Sequence, residues 1–351
     1  MSSIVFQPYY HWKGHFKKYS DSLVNESDFL LKNSLEIKFK GFISYIFLRF
    51  FLYFVLLIKL REIVKFNKVK KVFFVEFEPL AILLNYLFIK KLDMAVFTIH
   101  SIAPSCYTSR FKNNITRLQR LLLFFVLKKI SKNKNSFFIV HSEFHKTQLA
   151  NILGCVDKIA VVEYPAPEPM IQPIPSFELR RKLLIFGAMR EDKGIYDFLK
   201  EIRLYRDDFI KSKIDIFLVG KVSDYRIFDM SDLENVHIVN EFISEEKLLE
   251  YVNNSGFFLV PYYDKYTGGA GPLKDATSYG RPVICSNIEL FREIRHKYNF
   301  SIIYCSIQDL INKIDSMNNA EYQELVKNAI DFSHNNNWLL IRDKYEHAIS
   351  K

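Results

Sequence analysis

Short runs of almost wholly apolar, β-rich residues alternate along this chain with longer stretches of helical period. In the second half the runs are KLLIFGAM (182–189), IDIFLVG (214–220), VHIVN (236–240), GFFLVPYY (256–263), RPVICSN (281–287) and SIIYC (301–305). Helix-like segments at 194–208, 244–254, 271–279 and 306–315 lie between them. Strands with so few polar positions are buried on both faces, and helix-length returns make their neighbours parallel. The first half repeats the alternation with SIVFQ (3–7), KVFFVEF (71–77), MAVFTIH (94–100), SFFIVHS (136–142) and KIAVVEY (158–164). Helices are expected there over 15–32, 79–91, 112–131 and 143–153. The pattern predicts an α/β protein with two doubly wound, Rossmann-like domains.

Five of the eleven prolines fall within YPAPEPMIQPIP (164–175). Such density resists regular structure and predicts a semi-rigid connector. The expected organisation is a first domain over 1–165, a second over 166–335, and a last helix, 336–351, returning to the first.

The stretch from Phe42 to Ile58 carries one charge, Arg49, and approaches the roughly 20 apolar residues that span a bilayer. Basic residues flank it on both sides, which gives no orientation signal, and Arg49 at the bilayer centre would cost about 3 kcal/mol. A helix buried in or on the first domain is the expected reading.

Charge changes the picture next. Residues 1–165 hold 25 Lys and Arg against 11 Asp and Glu, a net +14, whereas the remainder is −4. One half alone is therefore built to face an anionic partner. Around LLLFFVL (121–127) stand Lys112, Arg117, Arg120, Lys128, Lys129, Lys132 and Lys134. A basic helix with an apolar face suits an anionic membrane surface, though solvated ends of a core helix give the same pattern. No nucleic-acid module is visible, so nucleic acid is not an expected partner. Cys106, Cys155, Cys285 and Cys305 are scattered without a C-x-x-C pair, and neither a disulfide framework nor a zinc site is indicated. The N-terminus lacks the basic-then-apolar order of a secretory signal, so a cytoplasmic location is expected.

Two segments carry candidate chemistry. FGAMREDKG (186–194) joins a buried strand to a helix, with Gly187 at the turn and Arg190 and Lys193 at the next helix start. Two cations beside free N–H groups make a diphosphate site. The second segment, PYYDKYTGGAGPLKDATSYGRPVICSN (261–287), carries Gly268, Gly269 and Gly271 ahead of a helix with Pro272 near its start. Backbone N–H groups there can cradle an anion or a sugar hydroxyl. The glycine spacing matches neither the P-loop nor the dinucleotide fingerprint.

Together these segments resemble the nucleotide-sugar domain of GT-B glycosyltransferases, particularly retaining family 4. The resemblance implies two domains facing across a cleft, with Gly187, Arg190 and Lys193 on the donor diphosphate. It places Thr267, Gly268, Gly269, Ala270, Gly271 and Asp275 on the donor sugar and ribose. The family's paired glutamates, eight positions apart, correspond to Thr267 and Asp275, so the first has lost its charge. Arg190 stands three residues after Gly187, as in one subset of the family. In the first half, TIHSIAPS (98–105) resembles the family's histidine motif, which makes His100 the catalytic candidate facing the donor sugar. Gly14 and His15 match the family's acceptor-side Gly-His, with Tyr9, Tyr10 and Trp12 either stacking surfaces or core.

The function so implied is retaining, metal-independent transfer of a sugar from a nucleotide diphosphate-sugar to a glycan or lipid-linked acceptor in polysaccharide assembly. No cofactor is implied, and no D-x-D motif occurs to anchor a metal. The expected place is the cytoplasmic face of the cell membrane, held peripherally. The competing reading is a non-catalytic nucleotide-sugar sensor or scaffold on the same fold, for which the lost glutamate speaks.

Overall fold

The computed structural model describes residues 3–12, 15–33, 42–102, 110–170, 173–262, 266, 268–269 and 271–350. They form two compact units. The first takes its described residues from 3–102, 114–163 and 338–350, the second from 110–113 and 164–337. The chain thus enters the second unit at Tyr164 and returns to the first at Trp338, where the helix Ile341–Ser350 follows.

The first unit is built on six parallel strands: β1 (Ser3–Gln7), β2 (Phe29–Lys32), β3 (Lys71–Phe74), β4 (Ala95–Thr98), β5 (Ser136–Val140) and β6 (Ile159–Val161). Their order across the sheet is β2-β1-β3-β4-β5-β6. The large phenylalanine content finds its home here. Phe6, Phe74, Phe97 and Phe138 sit on β1, β3, β4 and β5 with successive ring centroids 5.2, 4.7 and 5.9 Å apart. Cross-strand aromatic pairs of this kind fix register as well as burying area.

β2 departs from the expected helix over 15–32. Only Phe16–Asp21 is helical there, and Phe29–Lys32 pairs in parallel with β1. A four-residue edge strand with one buried position shows no period long enough to read. The expected helix 79–91 is likewise two, Pro79–Leu84 and Tyr86–Ile89, broken at Asn85.

The helix Phe42–Phe66 is long and apolar enough to cross a bilayer. Yet Leu52, Tyr53, Leu56, Leu57 and Leu60 are at most 1% exposed. That spacing is one helical stripe, and it packs into the first unit's core with Ile4, Phe6 and Val72. Ile43, Phe47, Phe51 and Ile58 remain exposed on other faces.

The second unit holds β7 (Lys182–Phe186), β8 (Asp215–Val219), β9 (Val236–Val239), β10 (Phe257–Val260), β11 (Val283–Ser286) and β12 (Ser301–Tyr304). All are parallel, in the order β12-β11-β10-β7-β8-β9. The described residues of the proline-rich stretch are strapped onto this unit. Ala166 N–H donates to Asn336 O at 2.8 Å, Met170 N–H to Ser278 O at 2.8 Å, and Ser333 Oγ to Pro167 O at 2.9 Å.

Candidate functional site

In each sheet the chain winds outward in both directions from one pair of neighbouring strands. β7 leads to β8 and β9 on one side, while β10 leads to β11 and β12 on the other. The loops leaving the carboxyl ends of such a pair diverge and open a crevice, where ligands of these sheets bind. The same reversal occurs between β1 and β3 in the first sheet.

At the β7 end, Gly187 turns the chain with φ 104°, in the region that glycine tolerates. Gly220 approaches so closely that an added Cβ would lie 2.3 Å from Gly187 O. Lys193 follows, and Gly194 (φ 67°) opens the helix Ile195–Leu204. A Cβ placed on Gly187 would lie 3.8 Å from both Lys193 Nζ and Pro272 Cγ. The β7 turn, the ammonium and the start of the helix Gly271–Ser278 therefore meet at one place. Lys193 Nζ also stands 5.5 Å over the Tyr262 ring.

Lys193 is 7% exposed. Among the described residues its ammonium has no hydrogen-bond or ion-pair partner. Burial first, then the neighbouring Arg190 charge, push its pKa down to about 8, while Asp192 and Asp275 hold it up in part. Arg190 differs: its Nε and Nη2 both donate to the Asp192 carboxylate at 2.8 Å. That bidentate bond first of all holds its guanidinium in the charged form. Asp275 is half-buried in the helix Gly271–Ser278, and Gly268 and Gly269 precede it. Thr267 and Ala270 lie outside the described residues.

Arg281, at the end of the same motif, is structural. It is 1% exposed and donates to the carbonyls of Val252, Pro173 and Tyr279 at 3.1, 3.4 and 3.2 Å.

In the first unit, the reversal point between β1 and β3 gathers a charged cluster. Glu76, just past β3, is 8% exposed. Its Oε1 lies 3.6 Å from His15 Nε2 and 3.5 Å from His100 Nε2, and Arg49 Nη2 is 4.0 Å from its other oxygen. Burial opposes ionisation of Glu76, but His100, His15 and Arg49 outweigh it and hold its pKa below the usual carboxylate value. Arg49 also pairs with Glu78 at 3.6 Å, which explains the one charge in the otherwise apolar stretch 42–58. Tyr9 is core rather than a free stacking surface: it is 1% exposed, stacks on Trp12 at 4.7 Å, and donates its hydroxyl to Arg49 O. Tyr10 is buried too, at 7%. Gly14 lies outside the described residues.

His15, Glu76 and His100 bring one potential ligand atom each within 4.8 Å of one another, a donor set of the kind that holds a transition metal. His100 Nε2, however, sits 2.9 Å from Val75 O and so donates a hydrogen there instead of offering a lone pair. The three groups as placed form a charge-compensated cluster, not a ready ligand set.

Residues 180–319 match the family model of the glycosyl transferases group 1. Among solved structures, a sucrose-phosphate synthase from Thermosynechococcus elongatus aligns with TM-score 0.70 at 14% identity, over 100% of this chain and 98% of that one. Anabaena HepE in complex with UDP-glucose aligns with TM-score 0.66 at 11% identity over all of both chains. WaaG, a glycosyltransferase involved in lipopolysaccharide biosynthesis, gives 0.61 at 13% over 98% of each. No curated sequence matches. The chain has the GT-B fold, and its residues 180–319 are similar to the group 1 glycosyl transferases.

Within the matched residues, Gly187, Lys193 and the start of the helix Gly271–Ser278 converge, and Arg190 stands near them paired with Asp192. In the first unit His15 and His100 come together, with ring centroids 5.1 Å apart. Sequence reasoning did not single out Glu76, Glu78 or His141 around them. One signal was present: carboxylates directly after a buried strand, as in KVFFVEFEP, sit where a parallel sheet places its ligands.

Proposed function

We propose that this glycosyl transferase moves a sugar from a nucleotide diphosphate-sugar to a glycan or lipid-linked acceptor, with retention and without a metal. The observation that carries the reading is Lys193. A buried ammonium with no ion-pair partner among the described residues is costly, and it is kept where an anionic ligand will supply the missing contact. In glycosyl transfer the departing diphosphate gains negative charge as the sugar becomes oxocarbenium-like. Lys193 and the N–H groups opening the helix Gly271–Ser278 would stabilise that charge at no cost in reorganisation. Asp275 suits ribose hydroxyls, Gly268 and Gly269 allow close approach of the sugar, and His100 is the residue carried over for catalysis. Retention rests on the family resemblance. Metal independence rests on a side-chain cation and backbone N–H dipoles doing the work that a metal would otherwise do.

A peripheral place on the cytoplasmic face of the membrane belongs to the same proposal. It is supported by the +14 charge of residues 1–165 and by Leu118, Leu121 and Phe125, each at least 56% exposed on the basic helix Arg110–Ser131. The neighbouring Leu84 and Leu87 are 61% and 74% exposed.

Calorimetry of the purified chain against UDP-, GDP- and dTDP-sugars tests the donor assignment. Saturable binding of one of them, lost in Lys193→Met, is expected. No binding by any nucleotide or nucleotide-sugar would remove the reading.

A further inference from the structure

Two histidines at the carboxyl ends of β4 and β5 set a problem of proton counting. His100 Nε2 lies 2.9 Å from Val75 O, and His141 Nδ1 lies 2.9 Å from Val162 O. A carbonyl only accepts, so each of these ring nitrogens carries a hydrogen. A neutral imidazole has a single N–H, and both are thereby spent. Yet His100 Nδ1 and His141 Nε2 face each other at 2.9 Å. That is hydrogen-bond distance, and it needs a proton between the two nitrogens. Two neutral rings would set lone pair against lone pair. The arrangement closes only with three protons on four nitrogens, an imidazole and an imidazolium joined by the middle one.

Burial opposes such a cation and one carboxylate favours it. Burial drives both rings toward neutrality, His100 down to about 4 and His141 well below its ordinary value. Glu76, 3.5 Å from His100 Nε2, pulls the other way and is itself held ionised. Arg49 faces the pair as a competing cation, and His15 and His145 as further imidazole rings. Tyr19 presents its ring at 5.0 Å from His100 and 6.0 Å from His141, with its hydroxyl committed to Tyr345. Glu76 is the one carboxylate in direct range of His100 among the described residues.

We propose that His100 and His141 hold one proton in common, and that His141 is a positioning residue which fixes His100 as an N–H donor at Nε2. The catalytic consequence rests on the glycosyl-transfer reading above. His100 then meets a substrate oxygen as a hydrogen-bond donor, the oxygen taking the place of the Val75 carbonyl, and does not act as a base. When the shared proton leaves, the central contact opens. His100 must turn, or move its hydrogen to Nδ1 and set a lone pair against Val75 O. Either change removes the donor, so transfer acquires an alkaline limb set by the pair.

The test is long-range proton–nitrogen correlation on the full chain labelled with ¹⁵N-histidine, from about pH 5 to 9. The resonances are assigned with His100→Gln and His141→Gln. The expected result is a coupled pair that loses one proton in a single step, and a His100 that becomes an ordinary neutral ring in His141→Gln. The same variant should lose the alkaline limb of kcat, while KM for the donor changes less than about threefold. Two rings that stay neutral and independent at every pH would overturn the proposal, and the wild-type spectrum decides this even if a variant fails to fold. A shared-proton spectrum in a chain that turns over no nucleotide-sugar would uphold the pairing and remove the transfer reading instead.

Discussion

Arg190 spends both Nε and Nη2 on Asp192, at 2.8 Å each. Three residues along, Lys193 is buried and keeps its ammonium unspent among the described residues. The two cations that look equivalent in the sequence are therefore unequal as anion binders. Lys193→Met should cost about 2–3 kcal/mol of donor affinity, some 30- to 150-fold, because a charge-assisted bond is lost outright. Arg190→Met should cost less than about tenfold, since its charge is already half-answered. Titration calorimetry with the nucleotide diphosphate reads both, and equal losses would contradict the geometry.

Donor affinity should fall as pH rises through about 8. A diphosphate prefers the ammonium form of Lys193, so binding above that pH must take up a proton and weakens accordingly. Measuring Kd from neutral to alkaline pH checks this, and a flat profile would count against Lys193 as a ligand of the diphosphate.

The same residue should destabilise the empty protein. Its folded pKa of about 8 lies below the unfolded value of 10.5, so the fold disfavours the charged form. That penalty is present in full below pH 8 and fades between 8 and 10.5 as the ammonium loses its proton in the fold. Lys193→Met is expected to raise stability at neutral pH by up to ~3 kcal/mol, with the gain shrinking as pH climbs. Thermal melts at neutral and alkaline pH read the difference. A variant that is both more stable and unable to bind donor marks a functional lysine.

Glu76→Gln should behave in the opposite way. It removes the carboxylate that His15, His100 and Arg49 surround, leaving Arg49 with Glu78 as its remaining counter-charge at a cost of about 1–3 kcal/mol. Because the Glu76 pKa is lowered in the fold, its stabilisation is present above the unfolded pKa near 4.5 and disappears as pH falls through the folded value. Denaturant melts should show a large wild-type advantage at neutral pH that closes in acid.

Leu118→Ser with Leu121→Ser, two exposed positions on the basic helix, should reduce flotation with anionic vesicles at least about fivefold without changing the melting temperature. Unchanged flotation would remove the membrane surface from this helix.

Much of this was legible before the fold was known. The run of buried, β-rich segments divided by helices gave the two parallel sheets, since a strand covered on both faces has no room for alternation. Lys193 and Gly187 were legible because a strand-to-helix turn demands glycine and sets the next few residues at the sheet's carboxyl edge. β2 was not, because Phe29–Lys32 is too short to show a period. The helix Phe42–Phe66 was ambiguous because apolar side chains surround it on every face, and only packing tells which stripe, Leu52 through Leu60, is core. Glu76 and His141 were hidden for another reason: their meaning lies in neighbours far away in sequence.

The sequence alone determined that the chain is a pair of parallel α/β units and where the glycine turn that carries Lys193 lies, because local period and turn chemistry are properties of adjacent residues. Tertiary structure alone decided which charges are spent: Arg190 on Asp192, Arg49 between Glu76 and Glu78, Lys193 in no ion pair among the described residues, and a proton count for His100 and His141 that two neutral rings do not satisfy. Such pairings depend on distances of a few ångströms between strand ends, and burial there strengthens or penalises each charge by amounts that no linear pattern encodes.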